Sequence, residues 1–158
     1  MIVERLYMSQ EHGAPLVGRR RLQLVADRGI LGDRHFGKQD WPGQSVSLVE
    51  AEEIDAFCAR TGRQTDLAMT RRNIVTRGVR LNELVGRHFR IGDCLLVGVE
   101  RCEPCGTLGR ALAAPGFDAE AVVRHWVGRG GLRADVLQDG SINVGDTLEP
   151  CLSLGGRS

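Results

Sequence analysis

A chain of 158 residues, 42% hydrophobic and 26% charged, suits one domain able to bury a core without cross-links. Its formal net charge of +1, with one tyrosine and four phenylalanines, offers neither the basicity nor the stacking surfaces of a nucleic-acid binder. No apolar run nears the roughly 20 residues that cross a bilayer, which argues against a membrane protein.

The N-terminal stretch MIVERLYMSQEHG mixes acids and bases with apolar residues, unlike a signal peptide, so a cytoplasmic location is expected. Five cysteines, an odd number, then read as reduced thiols rather than a disulfide framework. Of the 21 basic residues only Lys38 is a lysine. Arginine's planar fork suits oxyanions, although genome base composition gives the same bias.

In chain order, IVERLYMS, RRLQLVA, SVSLVE, RNIVT, CLLVGVE, LRADVLQ and INVGDTL read as short strands broken by glycine. In RRLQLVA, Leu22, Leu24 and Ala26 alternate with Arg21, Gln23 and Val25, as in a strand with one buried face. Between the second and third of these runs, DRGILGDRHFGKQ is a loop dense in charge, with Gly29, Gly32 and Gly37 for tight turns and Asp33, Arg34, His35 and Lys38 as donors and charges. It matches neither the dinucleotide fingerprint nor the P-loop, and taken alone reads as a surface hairpin.

Two helices are expected. EAEEIDAFCART carries acids in its first turn and sets Ile54, Phe57 and Cys58 on one face before Gly62. FDAEAVVRHWVGRGG has Asp118 as a cap, an apolar face of Ala119, Val122, Val123 and Trp126, and a stop at Gly128. Glycine-aspartate turns in RIGDCLLVGVE and NVGDTLEP deliver the chain into or along strands. The expectation is a mainly β domain over residues 1–150, a barrel or sandwich with a few short helices, followed by a flexible tail over 151–158.

The stretch VERCEPCGTLGR allows three chemistries. A structural zinc site needs about four ligands, and beside the pair Cys102 and Cys105 the other cysteines and the histidines are scattered. A thioredoxin-like pair needs a following helix in a βαβ setting, and GTLGRALAAPG, interrupted by glycine and ended at Pro115, gives too little helix. A single working thiol at Cys105 would follow Pro104 into the first turn of a helix, where free N–H groups and the neighbouring Arg101 and Arg110 favour thiolate, a form able to carry a persulfide or bind a soft metal. A small buried cysteine at a strand end is the plain alternative. In TRRNIVTRGVRLNELVGRHFRIGD, Arg71, Arg72 and Asn73 precede a strand and offer guanidinium and amide donors to an anion.

Taken together, GILGDRHFGK, SVSLVEAEEI, RRNIVTRGVRLNELVGRHFRIGD, VERCEPC and GLRADVLQDGSINVGD resemble the MOSC family, named for the C-terminal domain of molybdenum cofactor sulfurases, over about residues 28 to 147. The resemblance implies a β-barrel-like fold. It implies Cys105 as the functional thiol and molybdenum ligand, with Cys102 a bystander. It places Arg71, Arg72 and Asn73 on the phosphate and pterin of molybdenum cofactor (molybdopterin), and Asp33, Arg34 and His35 on the pocket rim. The implied function is molybdenum-cofactor binding, with reduction of a small N-hydroxylated compound at the expense of an electron-donor protein. The alternative is a sulfur carrier that takes a persulfide on Cys105 from a cysteine desulfurase, and a plainer one is a thiol–disulfide module using Cys102 and Cys105. Family members fused to a desulfurase domain carry pyridoxal phosphate there. With its only lysine in the glycine-rich loop, this chain leaves pyridoxal phosphate to a desulfurase partner.

Overall fold

Alternation of buried and exposed side chains sets the first strand, β1 (Ile2–Met8), but Val3 and Leu6 both point inward although three residues apart. A bulge between Val3 and Arg5, where β1 pairs with a later strand, inserts the extra residue that makes this consistent. The structure, a computed structural model, describes residues 1–38 and 40–152. The chain continues through β2 (Val17–Arg19), β3 (Arg21–Val25), β4 (Gly29–Ile30), β5 (Val46–Glu50), α1 (Ala51–Thr61) and β6 (Ile74–Arg77). A 3-10 turn over Leu81–Leu84 leads to β7 (His88–Ile91) and β8 (Cys94–Arg101). There follow α2 (Gly106–Leu112), α3 (Ala119–Trp126), β9 (Leu132–Gln138), β10 (Gly140–Asn143) and β11 (Leu148–Pro150). The fold is mainly β, as expected, and no described helix is long and apolar enough to cross a membrane.

Eight strands form one sheet in the order β11-β7-β8-β9-β5-β6-β1-β2, and β10-β3-β4 form a second. Among the described strands only β5 and β6 pair in parallel, and they are buried on both sides, as parallel strands commonly are. Leu48 and Ile74 face the main core, while Val49 and Val75 face a second cluster with Ile54, Phe57, Leu112, Val122 and Trp126 from the helices.

The expected barrel is not a closed one. β1, next to the β2 edge, meets the segment leading into β11 at an isolated bridge between Ile2 and Thr147, with Val3 N donating to Asp146 O at 2.8 Å, Gly145 N to Val3 O at 2.8 Å and Leu148 N to Met1 O at 3.0 Å. The chain turns too sharply there for a ladder. The Asp146 carboxylate accepts from Asn143 N at 2.7 Å, so INVGDTL, expected as one strand, splits into β10 and β11 in different sheets.

Both expected helices form. The α1 helix ends on left-handed Gly62, and Asp118 caps α3 by accepting from Ala121 N at 2.8 Å. A further short helix, α2, follows Cys105 and runs for 7 residues. Gly109, read as an interruption, packs so tightly that a Cβ there would lie 2.7 Å from Ala119 O and 2.9 Å from Val123 Cγ2. Its missing side chain lets α2 and α3 approach, and their packing stabilises a helix too short to persist alone. Of the tail expected over 151–158, residues 153–158 lie outside the described residues.

Candidate functional site

The entry to β6 is organised by Asn73. Its Oδ1 accepts from Ser47 N and Ser47 Oγ, both at 3.2 Å, and its Nδ2 donates to Tyr7 O at 3.2 Å. Buried Asn73 thus ties β5 and β1 to β6 with both ends of its amide engaged. Its geometry is that of a residue that shapes the strand mouth, whereas the two arginines before it are half-buried and bond to carbonyls of other loops.

Arg71 sits at φ 60, a left-handed conformation that costs an ordinary residue on the order of 1 kcal/mol. The turn sends consecutive arginines to different partners. Arg71 Nη2 donates to Ala14 O at 2.8 Å, and Arg72 Nε donates to Gly130 O at 3.1 Å. These acceptors are carbonyls. Among the described residues no carboxylate lies within salt-bridge distance of Arg71 or Arg72. Burial holds the Arg72 guanidinium below its ordinary pKa range, an expense that a bound anion would offset. Just before them, buried Thr70 leaves its hydroxyl without a protein partner.

Cys105 is exposed and occupies the N-cap of α2, just before the first turn in which it was expected. It makes no regular cap hydrogen bond, yet the Leu108 amide, opposed in part by burial and aided by the Thr107 amide and hydroxyl and by the Arg72 charge, keeps its thiol below the ordinary range. Arg101 and Arg110, expected to do this, are occupied elsewhere: Arg101 Nε lies 3.6 Å from Glu103 Oε1, and Arg110 Nη2 donates to Thr107 Oγ1 at 3.4 Å. Cys102 is buried at the end of β8, its amide bonded to Gly131 O at 2.8 Å, and desolvation pushes its thiol up. Burial likewise pushes Cys94 up to about 12. Iodoacetamide at neutral pH is therefore expected to label Cys105 well before Cys102 and Cys94, with the Cys105 rate rising at a lower pH than that of an ordinary thiol. Peptide mapping of partly alkylated protein checks this, and equal labelling of Cys102 and Cys105 would count against it.

The glycine-rich loop joins the site. Asp33 is buried, and its carboxylate accepts from Ser9 N at 3.1 Å and His35 N at 3.2 Å, pinning the loop to the end of β1. Arg34 Nη1 lies 3.4 Å from Asp33 Oδ1, and the charges of Arg71 and Arg72 bear on Arg34, whose guanidinium burial shifts downward. His35 Nδ1 lies 3.7 Å from Asp33 Oδ2; burial, then Arg34, holds the imidazole below its usual range. Arg34 and His35 thus come to the arginine cluster, while Asp33 acts as its internal counter-charge and loop anchor.

Arg133 is the residue that motif reading misses. On β9 it alternates with buried Leu132 and Ala134, and its charge bears on Arg72, Cys102 and His35. Strand alternation in LRADVLQ signals that it faces away from the core, but nothing in the sequence says which cleft it faces. Among the described residues no three His, Cys, Asp or Glu side chains converge on a metal position, so a metal at Cys105 would bring further ligands with it. The cavity of about 470 Å³ lined by Gly86, Arg87, His88, Arg90, Leu95, Cys151 and Leu152 shares no residue with this cluster.

A family model described as MOSC domain matches residues 31–149. Among solved structures, the YuaD protein from Bacillus subtilis has a TM-score of 0.80 at 23% identity, with 94% of each chain covered. YiiM from Geobacillus stearothermophilus gives 0.69 at 16% identity over 96% of this chain and 75% of that one. YiiM from Escherichia coli gives 0.67 at 18% identity over 98% and 71%. At these identities the likeness is one of fold. No curated protein matches the chain.

Proposed function

We propose that this chain, which belongs to the MOSC domain family, binds molybdenum cofactor at Cys105 and the arginine cluster and supports a molybdenum-dependent reduction. The observation that carries the reading is an exposed thiol biased toward thiolate within the field of Arg72, which among the described residues has no carboxylate partner. A phosphorylated pterin dithiolene requires a soft donor for its metal and forked cations for its phosphate, which Cys105 and Arg71 with Arg72 supply. The orphaned Thr70 hydroxyl fits too, since a buried donor calls for an acceptor that the protein does not provide.

Bound there, the cofactor supplies two-electron chemistry suited to cleaving the N–O bond of a small N-hydroxylated compound, with electrons from a separate donor protein. The chain's own residues hold and orient. Asn73 keeps the β6 mouth fixed, Asp33 anchors Arg34 and His35, and Gly130 O aligns Arg72. A second reading, persulfide relay from a cysteine desulfurase partner, is favoured by the same exposed, thiolate-biased sulfur. On that reading pyridoxal phosphate belongs to the partner.

Elemental and pterin analysis of protein purified from a host that makes molybdenum cofactor tests the first reading. Stoichiometric molybdenum and pterin are expected. Their absence, with a persulfide on Cys105 after incubation with a desulfurase and cysteine, would favour the relay. Arg72→Ala is expected to weaken cofactor retention about 10- to 100-fold, the worth of one charge-assisted hydrogen bond. Its melting temperature should drop by only a few degrees, because the lost contact to Gly130 O is a single hydrogen bond. Unchanged cofactor content in a folded Arg72→Ala protein would remove Arg72 from the site.

A further inference from the structure

Arg71 and Arg72 come from the entry to β6, whereas Arg133 arrives from a different strand. Its register partner on β5 is Ser47, so Arg133 shares a face with the Ser47–Asn73 pair, and its partner on β8 is Glu100. No ion pair with Glu100 or any other carboxylate forms among the described residues. The stem is held in place. A Cβ on Gly43 would lie 3.0 Å from Arg133 Cβ and 3.1 Å from Val99 Cβ, so the loop around Gly43 rests against the side chain's base. That loop is fastened to the same strand, with Gly43 N donating to Asp135 Oδ1 at 2.8 Å. A guanidinium with a buttressed stem and no carboxylate partner is preorganised for an anion from outside.

We infer that Arg133, beside His35 and Arg72, forms a second anion-binding point that selects substrates bearing a carboxylate or phosphate. The inference rests on the reading of the Cys105 cluster as the reactive centre, and it adds the substrate's charge. An anionic group seated on Arg133 orients the small molecule relative to Cys105, since Arg133 and Cys105 both lie within the field of Arg72. His35 contributes a ring N–H or acceptor, since burial and then Arg34, Lys38 and Arg133 disfavour its protonation against the opposing pull of Asp33. The same chemistry could come from a further oxyanion of the cofactor, and the experiment separates the two sources.

The protein as purified, wild type and Arg133→Gln, is titrated calorimetrically with 4-aminobenzoate and with aniline, an amine pair differing only in the carboxylate. Molybdenum and pterin are measured on the same samples. The expected result is a preference of wild type for 4-aminobenzoate of at least about tenfold, lost in Arg133→Gln while molybdenum and pterin stay at the wild-type level. Arg133→Lys, which keeps the charge but not the fork, should retain part of the preference, and this variant keeps the test valid if Arg133→Gln folds poorly. Equal affinities in wild type, or a preference that survives Arg133→Gln, overturns the inference. Loss of cofactor from Arg133→Gln also overturns it, by assigning Arg133 to the cofactor. A wild-type preference lost in Arg133→Gln, in protein without molybdenum, upholds the anion point and removes the molybdenum reading instead.

Discussion

Cys105→Ser protein, prepared beside wild type in a host that makes molybdenum cofactor, is expected to lose bound molybdenum by more than about 100-fold in affinity. Disturbing the outer partners of a metal ligand already costs 10- to 100-fold, and this substitution removes the ligand itself. Serine cannot replace it, because a hydroxyl stays protonated at neutral pH where the Cys105 thiol is biased toward thiolate, and oxygen is a harder donor than sulfur. Stability should change by no more than about 0.5 kcal/mol, since the side chain is exposed and makes no cap hydrogen bond. Cys102→Ser is the control: it buries a hydroxyl at roughly 1–3 kcal/mol but should leave molybdenum in place. A thiol–disulfide module would behave differently, losing exchange activity with either substitution. Wild-type molybdenum content in Cys105→Ser would end the assignment of Cys105 as ligand.

Gly131→Ala is expected to be the most destabilising single substitution considered, with a urea midpoint far below that of wild type. Its φ of 103 is one that side chains rarely adopt, and an added Cβ would lie 1.8 Å from Leu48 O and 2.9 Å from Leu48 C. The obstacle is backbone in β5, which pairs with both β6 and β9, so relief would break the centre of the large sheet. A cost above about 4 kcal/mol follows, against a total stability of about 5–15 kcal/mol for a domain. Gly62→Ala is the matched control: it too has positive φ, at 70, but nothing within 4 Å, and should cost only about 1 kcal/mol. Urea denaturation of the three proteins decides it. A Gly131→Ala midpoint near that of Gly62→Ala would show that the close approach carries little strain. The same crossing serves the site, because Gly130 O receives Arg72 and Gly131 O receives the Cys102 amide.

Local pattern made much of this molecule readable. Apolar alternation marks β3 and β9, acids and a following glycine mark α1, and Asp118 marks the start of α3, because each signal lies within one or two turns of chain. The candidate thiol was likewise legible, since a cysteine after proline at a strand end presents a helix start to solvent. Its electrostatic partner was not. Arg101 and Arg110 are close in sequence, yet Arg72 is the arginine that bears on Cys105, and Arg133 reaches Arg72 only because β9 pairs with β5 beside β6. Gly109 looked like a helix breaker and proved to be a packing residue, for the reason that its neighbour is another helix.

By itself, then, the sequence determined which short segments form strands and helices and which faces they bury, consequences of periodicity and local backbone chemistry, while the family resemblance singled out Cys105. Tertiary structure alone decided the open rather than closed sheet, the division of INVGDTL between two sheets, the engagement of Asn73 and the assembly of Arg34, Arg72 and Arg133 into one field. Periodicity reports that a residue faces away from its own core, but only strand register and loop crossings fix what it faces instead.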